Sequence, residues 1–200
     1  MRAGGDIANP MEAANTALAH YILDVKASRF TVQAFATGML SAMGHSPTIA
    51  IRDFSGEVDF NPETLQASGF RISIKTASLS VQDDISDKDR REIERMMNDQ
   101  VLETAKYSDI LYQAPSIAIT RLGDALFSAA LDGTLTLHGV ISKQPVTARI
   151  AAFGTTLRAS GEFMLSQAAY QIKPVSVAGG ALKLKDEVKF SFEMVAREQG

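Results

Sequence analysis

The sequence predicts an all-β domain: an eight-stranded antiparallel β-barrel with one inserted amphipathic helix. Three observations carry that expectation. First, strand-length segments place large or small apolar residues at every second position. The clearest runs Phe127, Ala129, Leu131, Gly133, Leu135, Leu137, with Ser128, Ala130, Asp132, Thr134, Thr136 and His138 on the other face. A period of two puts one face in an apolar interior and the other near water. Second, about eight such segments follow one another, the number at which a closed barrel holds side chains or one small ligand. Third, the inward rows mix small residues among the large ones: Gly56, Ala129, Gly133, Ala148, Ala159 and Gly161. Small residues permit strong curvature and are expected to leave empty volume, which favours a barrel over a sandwich.

The elements follow in order. Residues 1–19 are small and polar around Pro10, expected to be a disordered or weakly helical lead. The barrel domain is expected over 20–197. Patterning starts at Tyr21, and Phe30, Val32 and Ala34 form the next alternating run. After a connection from Gly38 to Pro47 come Ile49 and Ile51, then Phe54, Gly56, Val58 and Phe60. The phase slips by one between Ile51 and Phe54, which predicts a bulge at Arg52-Asp53. Asn61-Pro62-Glu63 is a turn signal, and Phe70, Ile72, Ile74 and Thr76 lead toward Val81. Ser86 to Glu103 reads differently. Ile93, Met96, Met97 and Val101 recur at helical spacing amid charges, behind a Ser86/Asp89 pair resembling a capping box. That helix is expected to cover an open end of the barrel.

Strand patterning resumes with Ile110 and Tyr112, then Ile117 and Ile119 beyond Pro115. The Phe127 row follows. Val146, Ala148 and Ile150 make the next, then Leu157, Ala159, Gly161, Phe163 and Leu165. Gln167 to Asp186 is irregular, with Pro174 and Gly179-Gly180; Val188, Phe190, Phe192 and Met194 close the chain.

The net charge of the 200-residue chain is −3 and no Lys/Arg run stands out, so nucleic acid is not an expected partner. A mildly acidic surface does not suggest anionic lipid headgroups either. With no cysteine there is no disulfide, thiolate metal site or cysteine nucleophile. No stretch approaches the roughly 20 apolar residues of a membrane span. The first residues lack the uninterrupted apolar stretch of an export signal, so a cytoplasmic protein is expected.

Several segments taken in order resemble the YceI-like family. Asp132-Gly133-Thr134-Leu135-Thr136-Leu137-His138-Gly139-Val140 is similar to that family's strand and turn ending in His-Gly. Gly56-Glu57-Val58-Asp59-Phe60 with Thr76-Ala77-Ser78-Leu79, and Leu102-Glu103-Thr104-Ala105-Lys106-Tyr107, fit in sequence. So do Tyr21-Ile22-Leu23-Asp24 and Met43-Gly44-His45. Ser108 stands where the family usually has proline, and Gln167 to Gly180 departs from its usual ending. The resemblance implies a lipocalin-like barrel whose pore takes a long apolar chain such as a polyisoprenoid, isoprenoid quinone, fatty acid or fatty amide. It also implies periplasmic location as an alternative, and a possible homodimer.

The expected ligand surface is the inward row: Phe30, Val32, Ile72, Ile74, Ile117, Ile119, Phe127, Leu131, Leu135, Phe163, Phe190 and Phe192. In an arbitrary β domain such side chains simply fill the barrel; the family resemblance favours a ligand. His45 and His138 are read as the histidines of the barrel segments. Each either fixes a turn through its ring nitrogens or donates to a ligand headgroup. The acids Asp83, Asp84, Asp87 and Asp89 suit a helix start better than a calcium loop. No nucleophile elbow, phosphate loop or zinc spacing is present. The reading is therefore a non-enzymatic lipid carrier without cofactor or metal. The alternatives are a barrel-mouth enzyme or metal protein using His45 and His138, and a homodimeric interaction or stress-response module.

Overall fold

A computed structural model describes residues 17–37, 46–177 and 182–200. Its strands are β1 (Ala19–Leu23), β2 (Arg29–Gln33), β3 (Ala36–Thr37), β4 (Thr48–Ile51), β5 (Phe54–Asn61), β6 (Gln66–Lys75) and β7 (Leu79–Val81). Helix α1 (Asp87–Met96) runs into a single π-helical turn, Met97–Val101. Then come β8 (Asp109–Arg121), β9 (Leu126–Leu137), β10 (Val140–Phe153), β11 (Thr156–Ser166), β12 (Ser176–Val177), β13 (Leu182–Leu184) and β14 (Glu187–Glu198). Residues 1–16 of the expected 1–19 lead, the Met43-Gly44-His45 segment and Gly179-Gly180 lie outside the described residues, and Ala19 already belongs to β1.

Eight strands pair antiparallel in the order β1-β5-β6-β8-β9-β10-β11-β14. The ring closes where β14 meets β1, with Tyr21 opposite Glu198 and Leu23 opposite Ala196. Closure removes the free edges of these strands. β2, β4 and β7 carry the same wall upward. Phe30 of β2 lies opposite Phe192 of β14, Ile51 of β4 opposite Phe30, and Leu79 of β7 opposite Ile51. Thus β1–β2, β4–β5 and β6–β7 are three long wall strands, each interrupted once. The break between β4 and β5 falls at Arg52-Asp53, where the sequence slips phase. The break before β7 is a 3₁₀ turn at Thr76–Ser78, pinned by the Thr76 hydroxyl donating to Tyr107 O at 2.7 Å.

Two further register shifts, at Glu57/Asp59 and Gln113/Ser116, bend the wall. The second accounts for the phase change across Pro115. Asn61 makes its turn by accepting from the Glu63 and Thr64 amides. The β9–β10 hairpin turns on His138 (φ 52°) and Gly139 (φ 76°). Positive φ at both central residues is what a primed hairpin turn requires. The stretch from Gln167 to Asp186, expected to be irregular, contains β12 and β13, which form a small sheet with β3 in the order β12-β13-β3.

The barrel's glycines do not leave empty volume, as the sequence alone suggests they would. A Cβ on Gly133 would overlap the Tyr112 ring and come within 2.8 Å of Gln113 O. On Gly161 it would meet Phe192 and Thr147 O, each at 2.6 Å. A neighbouring ring occupies each vacated site, so these glycines let rings lie flat against the wall. Gly161→Ala is therefore expected to cost about 1–3 kcal/mol, because backbone on one side cannot yield. Urea titration against wild type checks this.

Candidate functional site: an apolar cavity inside the barrel

The inward faces do not mesh into a solid core. They surround a cavity of about 620 Å³. That volume is within the range of pockets that enclose a small organic ligand. Its lining combines the predicted pairs Phe30 and Val32 (β2), Ile72 and Ile74 (β6), and Ile117 and Ile119 (β8). Leu131 and Leu135 (β9), Phe163 (β11), and Phe190 and Phe192 (β14) complete that set. Phe163 stacks on Phe190 with centroids 4.9 Å apart, and Phe30 meets Phe54 edge-on at 4.6 Å. Such ring pairs add to the packing of the wall around the void.

The two ends differ. At the end where β9 starts, Phe60 and Phe127 pack edge to face at 5.8 Å, both almost fully buried. The Arg121 guanidinium covers the Phe127 ring at 5.0 Å, and the Asn61 amide donates to Ala17 O. This end is plugged. Phe127 faces inward as expected, but belongs to the plug and is not part of the cavity lining. At the other end the lining is made by α1, through Ile93 and Met96, by the π turn and Leu102, and by Lys183 and Leu184 of β13.

Few polar groups reach the cavity. Asp89, Glu92 and Lys183 do so at the α1 end and are exposed to solvent. Buried Gln167 donates to Lys185 O and Asp186 O, which ties the segment after β11 to the start of β14. Tyr112 crosses Gly133 and donates to Gln144 O at 3.0 Å. Burial, and then the negative charge of Asp132, push its hydroxyl up to about 12. The interior is therefore uncharged at any ordinary pH. Stability tied to neutral Tyr112 is full below its ordinary value of 10.0 and is lost as pH climbs toward about 12. That loss is on the order of 2 kcal/mol across the window. Tyr112→Phe is expected to flatten this alkaline slope, read from urea midpoints on either side of it.

The sequence profile of the YceI-like domain matches residues 21–196. The chain belongs to the YceI-like domain family. Solved structures agree at the level of fold. Burkholderia cenocepacia BcnA is 19% identical with a TM-score of 0.65, over 86% of this chain and 98% of that one. A polyisoprenoid binding domain from Saccharophagus degradans, implicated in plant cell wall breakdown, is 18% identical with a TM-score of 0.65, over 91% and 99%. The Campylobacter jejuni YceI protein is 16% identical with a TM-score of 0.58, over 76% and 85%. No curated protein matches significantly.

In this YceI-like barrel His138 stands outside the cavity lining. Its Nε2 meets the Glu103 carboxylate at 2.6 Å and its Nδ1 lies 3.3 Å from Tyr170 O. Its ring packs at a tilt against Tyr107, with centroids 4.4 Å apart. Both ring nitrogens are engaged in tying the hairpin turn to the segments around it. His45 lies outside the described residues. His20, which the sequence reading set apart from the barrel, is on β1 and meets Asp59 across the strand pair at 2.8 Å. Among the described residues no three His, Cys, Asp or Glu side chains group as a metal site. No helix among them is long and apolar enough to cross a membrane.

Several lining residues fall outside the ligand surface expected from the sequence. Val146, Ala148 and Ile150 of β10 complete the wall and were legible as a period-two run. Tyr112 alternates in phase with Ile110, so it too could have been found. Gln167, Ile172, Val175 and Lys183 carry no periodic signal, because the chain reaches the cavity there through turns and a short sheet.

Proposed function

We propose that this YceI-like domain binds a long apolar lipid by threading its tail into the barrel, and that it carries or stores that lipid without chemical change. The observation that carries this reading is the cavity of about 620 Å³, walled by aliphatic and aromatic side chains and plugged at one end. Each buried methylene contributes about 0.8 kcal/mol. A tail of roughly ten methylenes therefore gains about 8 kcal/mol, enough to leave useful affinity after the cost of ordering and association. Charged groups are confined to the α1 end, which suits a ligand with an apolar tail and its polar head at the opening. The Saccharophagus degradans neighbour's description as a polyisoprenoid binding domain supports an isoprenoid tail, such as that of an isoprenoid quinone, with a fatty acid or fatty amide as the other tail chemistry. The engaged ring nitrogens of His138 favour a structural histidine over a catalytic one.

Native mass spectrometry of the purified protein, before and after adding an isoprenoid quinone or a fatty amide, tests the proposal. One lipid per chain is the expected result. Bare protein mass at every lipid concentration would overturn it.

A further inference from the structure

α1 covers the open end of the cavity, yet it is held unlike any other element. None of its residues is buried. Its apolar face, with Ile93 and Met96, borders the cavity, and Ile93 is only partly buried against the core. Besides the partial packing of Ile93, its bonds to the barrel are polar and sit at one place. β7 is the last strand of its sheet, so the outward amide and carbonyl of Val81 have no strand partner. The Glu94 carboxylate accepts from the Val81 amide at 2.9 Å, and the Arg90 guanidinium donates to Val81 O and to Asp83 O. Four residues apart, the two side chains share one helix face and replace a missing strand.

The other end of the helix is anchored differently. Met97 and Leu102 are buried, and Glu103 (φ 46°) is tied to His138. Between latch and anchor lies the π turn Met97–Val101, a break in α-helical geometry of the kind frequent at functional sites. Inside it the Asn98 Oδ1 is buried with no hydrogen-bond partner, which makes the turn a costly point in the helix.

We propose that α1 is a hinged lid. It pivots on the π turn, is latched to the β7 edge by Arg90 and Glu94, and admits and releases the lipid between itself and β13. This rests on the lipid-carrying reading above. The plug at Phe60 and Phe127 leaves the α1 end as the route, and the latch is made of bonds that can break without opening the barrel core. Arg90 and Glu94 are positioning residues: neither lines the cavity.

The test loads the full chain with a fluorescent fatty amide and follows its release into neutral phosphatidylcholine vesicles. The Arg90→Ala/Glu94→Ala variant is expected to release about tenfold faster, as loss of the latch hydrogen bonds implies. Uptake should quicken in step, so equilibrium affinity changes by less than about threefold. Glu94→Gln keeps an oxygen for the Val81 amide and is expected to restore the wild-type release rate in an otherwise unaltered chain. Hydrogen exchange on the unloaded wild type supplies a reading independent of any ligand. Amides of 87–96 are expected to exchange well before those of β9, and earlier still in the double variant. Wild-type release from a loaded double variant, or helix amides that exchange only with the barrel, would overturn the lid alone. Failure of wild type to take up the amide or an isoprenoid quinone would overturn the carrier reading, and the lid's role in lipid passage with it.

Discussion

Leu131→Arg is expected to abolish lipid uptake and to destabilise the barrel by several kcal/mol, the cost of an unpaired charge in a dry interior. Leu131 is buried on β9, between Ile117 of β8 and Val146 of β10, and all three line the cavity. It lies six residues from Leu137 at the α1 end of the strand, about 20 Å along the wall. No side chain reaches that far, so the guanidinium cannot snorkel to water. The wall around it is apolar apart from the Tyr112 hydroxyl, which carries no charge to pair with it. Leu126→Arg is the matched control: same strand, outward face and 43% exposed. That substitution is expected to stay within about 0.5 kcal/mol of wild type. Urea titration with an uptake assay separates the two; a well-folded Leu131→Arg protein with normal lipid binding would show that the wall is not arranged as described.

Phe127→Ala is expected to cost about 3–5 kcal/mol and to leave lipid affinity nearly unchanged. The ring is 1% exposed, packs edge to face on Phe60 and carries the Arg121 guanidinium on its outer surface. Truncation removes its apolar burial, the aromatic pair and the cation–π contact together. Because Phe127 does not border the cavity, the tail-binding surface survives. The outcome expected is a large fall in urea midpoint with wild-type uptake below the transition. A loss of uptake at full folding would instead mean that the tail reaches past Ile119 to the plug.

The wall of this fold was legible because the chemistry that writes it is local. Phe127 to Leu137 alternates for a simple reason: one face of β9 is buried on every second residue, and any slip would expose the whole row. The irregularity at Arg52-Asp53 could be read from the same phase, although it is a strand break and not the bulge expected. Closure was expected from the strand count, but the pairs that make it were not legible, since Tyr21 and Glu198 meet across almost the whole chain and nothing near either residue records the other. Gly133 and Gly161 read as empty space when only their own side chains are considered. The Tyr112 and Phe192 rings that fill them come from neighbouring strands. Arg90 and Glu94 read as solvated charges on a helix, and only the free edge of β7 gives them a task. His138 was legible as a turn residue through the Gly139 beside it, whereas its partners Glu103 and Tyr170 were not.

The central claim is that the lipid tail lies inside the barrel, and the methionines report on it directly. Met96, Met97 and Met194 line the cavity, whereas Met164 points outward and is 46% exposed. Titration of methyl-labelled protein with an isoprenoid quinone, followed by NMR, is expected to shift the Met96, Met97 and Met194 methyl signals together at one lipid per chain, with Met164 unmoved. Movement of Met164 with the three interior methyls unchanged would place the lipid on the outside of the wall and contradict the account.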